Sequence, residues 1–356
     1  MKMNHKSVVT GQIENFFAYA AWPSVCADEN GVLYAVCSGH RMGHVCPFGK
    51  TLLYKSRDNG QTWSAPMIAD DSYLDDRDAG ILYLGNGKML ITNFKHPIAV
   101  YKEHYSDWVE ESSGQFGVEM LALCAALNEE DQKGGSFYKV SEDYGETWGE
   151  RKRIPVSCPH GPIQLSDGNI LYVGKEMYSA GKEERDTINA YGSKPDSIDF
   201  VKIGSCKKPK EHPWSKFHEP HCVELDDGRI LAFYRAQIDE NGDNFTMYKT
   251  FSEDKGKTWS DPEATGICGS PPHLLKLHDG RILLSYARRM KPYGIYARIL
   301  EQDGTIGEEI LIDEATDADI GYPASVELQD GNIVTVSYKR EISERYTSIV
   351  SVNWTR

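Results

Sequence analysis

Short apolar runs alternate with polar residues along the whole chain, and the period is two rather than 3.6, which predicts strands. Six segments share one plan. An alternating run leads to an Asn-Gly or Asp-Gly pair, and a second alternating run follows. They read WPSVCADENGVLYAVCSG, AGILYLGNGKMLITNF, GPIQLSDGNILYVGKE, EPHCVELDDGRILAFYRA, PPHLLKLHDGRILLSYARR and YPASVELQDGNIVTVSYKR. Such pairs between β-rich runs are hairpin signals. Their glycines are Gly31, Gly87, Gly168, Gly228, Gly280 and Gly331, at intervals of 56, 81, 60, 52 and 51 residues. One unit of about fifty residues therefore recurs six times, with one long insertion in the second.

A second motif alternates with the first. SRDNGQTW (56–63), SEDYGETW (141–148) and SEDKGKTW (252–259) all fit Ser-x-Asp-x-Gly-x-Thr-Trp. Asp58 is expected to bond amides of its own turn, Gly60 to supply a positive φ, and Trp63 to pack between neighbouring sheets. EQDGTIGEE at 301–309 is a decayed copy. Four short strands per unit, six times over, predict an all-β fold: a six-bladed β-propeller of four-stranded antiparallel blades, forming one domain over residues 1–356. The Asp-Gly hairpin would join the two inner strands of a blade, and the longer motif the outer two. The irregular stretch 101–135 is an insertion at the second to third blade, helix-like around Glu119 to Glu130. A lid, an oligomer contact that would make the chain a homo-oligomer, and a decorated loop all fit it.

Charge and cysteine content narrow the partners. The net charge is −14, which argues against nucleic acid and anionic membranes, since phosphate binding needs clustered Lys and Arg. No apolar run reaches the length of a membrane span, and the N-terminus MKMNHKSVVTGQIENFF lacks the apolar core of a signal peptide. None of the eight cysteines forms a CxxC pair, so they read as reduced thiols, mostly buried, in a cytoplasmic protein. No HxH or HExxH spacing is present, and neither a metal nor another cofactor is expected.

The three turns are Asp boxes, and six repeats carrying them make nearly the whole chain resemble the sialidase superfamily. The motif is specific for the fold and weak for function, so roles pass only to matching residues. GYPASVEL resembles the segment holding the family's tyrosine nucleophile, which implies Tyr322. HEPHCVELDDGRILAFYRA resembles the segment with the paired glutamate and a substrate arginine, which implies Glu219 and Arg235. The fifth repeat offers Arg289, or its neighbour Arg288, as a second arginine. The chemistry is consistent. A neutral phenol avoids the repulsion a carboxylate nucleophile would meet at an anionic sugar, and a glutamate can take its proton. Arginines hold a carboxylate by two parallel bonds.

The chain also departs from that family. Where an aromatic-Arg-Ile-Pro segment would place a first arginine, it reads AAWPSV, with Ala21 or Trp22 at that point. The loop expected to hold an acid aspartate, SGHRMGHVCPFGKTLLY, has no carboxylate. Arg41 and His44 in that loop are candidate replacements. So are Arg77, as a displaced carboxylate clamp, and Asp78, as a displaced acid, in LDDRDAGI. Asp319 could orient Tyr322. His44, His96, His160, His218, His221 and His273 recur near the inner strands and suggest a polar funnel, with His218 and His273 as substrate contacts. The leading expectation is an exo-acting glycoside hydrolase whose carbohydrate substrate ends in an acidic sugar, a sialic acid variant or a uronate. A uronate-specific polysaccharide lyase and a non-catalytic sugar-binding propeller are the alternatives.

Overall fold

The computed structural model describes residues 1–11, 15–178, 186–238, 245–343 and 345–356. Six antiparallel sheets follow one another around a central axis, as the repeats predict. Their innermost strands include Tyr19–Ala27, Arg77–Gly85, Phe217–Glu224, Ser270–Lys276 and Gly321–Glu327. In blade three the inner strand is split into Val156–Ser157 and Ile163–Gln164, both paired with Ile170–Glu176. Gly161, at φ +81, lies in the gap.

Blade six completes itself from the other end of the chain. Its order is Lys2–Val8, Ser348–Thr355, Ile333–Lys339, Gly321–Glu327, so the N-terminal strand is the outermost one. Apolar faces of adjacent blades bury one another. Leu171, Val173 and Ala190 of blade three, for example, pack with Ile230, Ala232 and Tyr234 of blade four.

The Asp boxes join the third and fourth strands, as expected. The Asp58 carboxylate accepts the Thr62 amide at 2.9 Å, the Thr62 hydroxyl at 2.6 Å and the Ser56 hydroxyl at 2.8 Å. Trp63, Trp148 and Trp259 each pack into the seam with the preceding blade. The glycine has two reasons to be there. Gly145 is at φ +76, and a Cβ on it would come within 2.7 Å of Leu53 in blade one. The residue before each of these glycines is also left-handed, at Asn59, Tyr144 and Lys255.

The insertion is helical and lies inside blade two, between Lys88–Lys95 and Gly135–Ser141. Helix α1 spans Ile98–His104 and α2 spans Ser106–Leu123, with a kink at Gly114. Val109 and Leu121 of α2 join Ile98, Tyr101, Val45 and Leu74 in a small core that docks the insertion on the loop after the second strand of blade one. Among the described residues no helix is long and apolar enough to cross a membrane. The cysteines are free, and Cys37, Cys46, Cys158, Cys206 and Cys222 are buried.

Candidate functional site

Four inner strands carry the same irregularity. Trp22, Asp78, Glu219 and Tyr322 have φ of +54, +51, +48 and +52. Each lies where its strand slips register against the next, between Ala21 and Ser24, Arg77 and Gly80, His218 and His221, and Gly321 and Ala324. A bulge re-aims a side chain that the regular ladder would direct elsewhere. Left-handed backbone at non-glycine residues is costly, and it concentrates at functional sites. Pro23, Pro220 and Pro323 follow three of the four.

Two of these residues meet directly. The Tyr322 hydroxyl donates to Glu219 Oε1, and Arg235 Nη1 holds Glu219 Oε2 at 2.7 Å. Burial would raise the Glu219 pKa, but the charge of Arg235 and the Tyr322 hydroxyl outweigh it and hold the carboxyl below its usual range. Burial and the Glu219 charge push the phenol of Tyr322 well up. The phenol is therefore neutral with a ready acceptor against its proton. Arg289 lies over the Tyr322 ring at 5.6 Å and is fixed by the Ile320 carbonyl and the Tyr338 hydroxyl, each at 2.8 Å. Arg288 instead pairs with Glu309 and turns away from this group. Phe245 supports Arg235 from 4.0 Å.

The blade-two pair joins the cluster. Burial, reinforced by the nearby Glu219 and Asp75 charges against the pull of Arg77, raises the Asp78 pKa to about 7. Its Oδ1 is buried without a hydrogen-bond partner among the described residues. Arg77 lies over the Trp22 ring at 4.1 Å, with a weak contact to Asp75 at 3.5 Å. Its Nε, like that of Arg235, is buried without a partner among the described residues. Trp22, at the point of the missing arginine, is thus the surface that supports Arg77.

Arg41 has a different place. It is 0% exposed. Its guanidinium is taken up by Asp75, the Ser38 hydroxyl and the carbonyls of His44 and Cys46. It also lies over Trp22, at 4.6 Å. The structure therefore puts Arg41 behind the site as scaffold, with no donors left for a ligand.

The histidines separate into four groups. His44 Nδ1 is 2.7 Å from the Tyr19 hydroxyl and 3.2 Å from Asp319, beside Trp22. Burial lowers its pKa despite Asp319. Asp319 is bonded to Tyr19 and His44 rather than to Tyr322. His218 lies 2.9 Å from Lys175 Nζ, and burial with that cation lowers it to about 3. His273 packs against His160 and His221 near the axis, with ring centroids 4.8–5.6 Å apart, and His160 is 6.4 Å from Tyr322. The Leu274 amide donates to His221 Nδ1 at 3.0 Å, so neutral His221 carries its proton on Nε2. Among the described residues no group of three or more His, Cys, Asp and Glu is arranged to hold a metal. His96 is bonded to Tyr178 beside Tyr101 and Tyr105 of the insertion.

Sequence reasoning passed over Tyr19, Tyr338, Lys175 and the platform role of Trp22. One signal was present. Trp22-Pro23 repeats the pattern of Glu219-Pro220 and Tyr322-Pro323, which marks it as an inner-strand bulge.

The model of the BNR repeat-like domain matches residues 118–335. No curated protein matches the chain. Among solved structures, it is similar to a protein of unknown function from Dyadobacter fermentans, at 22% identity and TM-score 0.77, covering 100% of this chain and 99% of that one. It is also similar to the intramolecular trans-sialidase of Ruminococcus gnavus (14%, TM-score 0.71, 100% and 98% covered). A third is the NanB sialidase of Streptococcus pneumoniae (14%, TM-score 0.70, 98% and 70% covered). Those identities carry the fold and not the activity. With that repeat model matched over more than half of the chain, and with six blades, three of them carrying Asp boxes, the chain belongs to the BNR repeat-like family.

Proposed function

We propose that the protein is a glycoside hydrolase acting on a carbohydrate that ends in an acidic sugar, a sialic acid variant or a uronate. The observation that carries this reading is the Tyr322–Glu219–Arg235 chain of hydrogen bonds with a protonatable Asp78 beside it. Tyr322 Oη would attack the anomeric carbon while its proton passes to Glu219. Asp78 would give its proton to the departing oxygen as the glycosidic bond breaks, leaving a glycosyl-tyrosine. Water would then attack the same carbon and give a proton to Asp78, while Glu219 returns its own to Tyr322. Arg289, Arg235 and Arg77 would neutralise the sugar carboxylate, and the free Nε–H groups of Arg77 and Arg235 are donors suited to it. His218 and Lys175 would line the same cluster through their interaction with Glu219.

Asp78 fits the acid role better than His44. Its pKa near 7 keeps a proton available, whereas His44 is held neutral and engaged by Tyr19 and Asp319. The Tyr19–His44 contact supports a second reading, elimination across a uronate, in which a histidine and a tyrosine exchange the protons.

The test is a turnover assay with a fluorogenic sialoside, aryl uronides and uronate oligosaccharides, using wild type and Tyr322→Phe. Hydrolysis abolished by Tyr322→Phe is the expected result. Hydrolysis that survives the substitution would remove the nucleophile from the scheme. An ultraviolet-absorbing unsaturated product, lost in His44→Ala, would establish the elimination instead.

A further inference from the structure

Lys175 stands seven residues after the turn glycine of blade three, and Arg235 seven after that of blade four. Each is the penultimate residue of its blade's second strand, Ile170–Glu176 or Ile230–Ala236. The two cations thus hold the same position in adjacent repeats. Arg235 pairs with Glu219, and Lys175 donates to Nδ1 of the residue before it, His218, at 2.9 Å. We infer that Lys175 and His218 form a second anion subsite, so that the acidic sugar held at Tyr322 carries a second, singly charged oxyanion, a sulfate half-ester or a second carboxylate. The inference rests on the glycoside reading above for the sugar itself.

The counter-charge of Lys175 sets it apart. The second strands of three other blades end in Arg41, Lys95 and Lys339. Those cations are spent on buried carboxylates. Asp75 and Asp76, which face Arg41 and Lys95, are 0% exposed, and Asp313, which faces Lys339, is 7% exposed. Lys175 is buried as they are, but its carboxylate partner is Asp186, 3.3 Å away and 44% exposed. Water already reaches that carboxylate and weakens its hold, so an incoming anion displaces it at little cost.

Donors and charge choose the occupant. An ammonium has three N–H donors and no acceptor. Among the described residues His218 and Asp186 take two of the three on Lys175. Because Lys175 can only donate, His218 Nδ1 accepts, and the neutral ring carries its proton on Nε2. No described residue accepts from that N–H. An oxyanion with several acceptor oxygens suits the two donors together. Its charge must be small. Lys175 brings one positive charge, and the Glu219 charge reaches both Lys175 and His218. A dianion such as a phosphate monoester would be repelled there, whereas a monoanion is matched. The first carboxylate of the sugar does not need Lys175, since Arg289, Arg235 and Arg77 offer it more N–H groups than it has acceptor sites.

The experiment compares fluorogenic sialosides and uronides with the same glycosides bearing one O-sulfate or one O-carboxymethyl group, placed at each free hydroxyl in turn. Wild type, Lys175→Met and Lys175→Arg are assayed, and the readout is the ratio of kcat/KM between a doubly charged glycoside and its parent. In wild type at least one doubly charged glycoside should exceed its parent by about tenfold or more. Lys175→Met should lower that ratio about tenfold, and Lys175→Arg should restore most of it. Preference for the sulfated or the carboxymethylated form names the source of the anion. Wild type that turns over the parents and favours no doubly charged form overturns the inference, whatever Lys175→Met does to folding. So does a preference that survives in Lys175→Met. Binding separates this inference from the hydrolase reading. Ligand-observed NMR sets glucuronate against its O-sulfates and O-carboxymethyl ethers, with Tyr322→Phe alone and combined with Lys175→Met. Binding of a doubly charged sugar that depends on Lys175, with no turnover of any glycoside by wild type, would sink the hydrolase reading and leave the subsite standing. Neither binding nor turnover would sink both.

Discussion

Asp78, which is buried, and Glu219, which is partly buried, both feel an arginine charge, yet they settle on opposite sides of their usual pKa. Glu219 has a direct ion pair and a phenol donor. Asp78 has an unpartnered oxygen and two like charges nearby. Environments that push two titratable groups apart assign their roles, one as base and one as acid. Asp78→Asn should therefore cut turnover of glycosides with poor leaving groups on the order of 10²–10⁴-fold. Aryl glycosides, whose leaving group needs little protonation, should lose far less. In wild type the acid-dependent rate should fall as pH rises through about 7, and that limb should vanish in the variant. Stability follows the same sign. Because the folded pKa is raised, the stabilisation by protonated Asp78 is complete below the ordinary Asp pKa and is lost as pH climbs to about 7. Asp78→Asn should match wild type in melting temperature near pH 4 and exceed it near pH 8. Glu219→Gln should lower kcat by a similar 10²–10⁴-fold. It should also cost about 2 kcal/mol, since it leaves Arg235 half-buried without a counter-charge. Denaturant melts would show whether the cost is real.

At the scale of elements, bulges and turns do different work. The inner-strand bulges spend conformational energy to present Trp22, Asp78, Glu219 and Tyr322. The Asp boxes are fully satisfied hydrogen-bonded turns that seal one blade to the one before it. Gly145 shows how tight that seal is. Gly145→Ala must take a left-handed φ and displace Leu53, so a loss of about 1 kcal/mol or more is expected. Gly31, at φ +79 with nothing near its Cβ, should suffer only the conformational part. Urea unfolding of the two variants side by side would separate packing from backbone strain. The turn motif was legible because its side chains bond within eight residues. The second left-handed residue, at Asn59, Tyr144 and Lys255, was not, because three different residue types occupy it.

For the whole molecule, ring closure is the decisive contact. Lys2–Val8 pairs with Ser348–Thr355, and Ser7 accepts from the Trp63 indole at 3.2 Å while donating to the Gly60 carbonyl at 2.6 Å. The first Asp box thus clasps the strand that closes the last blade. Removing residues 1–8 would bare the edge of Ser348–Thr355 and unlock blade one from blade six. The expected outcome is a melting temperature lower by about 10 °C or more, or aggregation in place of a cooperative transition. A truncated protein that melts as wild type does would show that five complete blades and an open sixth suffice.

The repeats by themselves determined that this is a six-bladed propeller, because strand period, turn chemistry and spacing are local properties written every fifty residues. They also singled out Tyr322, Glu219 and Arg235 through segments that resemble a known family, and those three residues do meet in the structure. Tertiary structure alone decided the rest. Arg41 and Arg77 look alike in sequence, but only Arg77 keeps donors unspent, because Asp75 and four neighbouring acceptors absorb Arg41. Trp22 read as a lost arginine and proved to be the platform beneath its substitute. Which charges are spent and which remain free depends on residues dozens of positions apart, brought together only when the ring closes, and no local pattern records it.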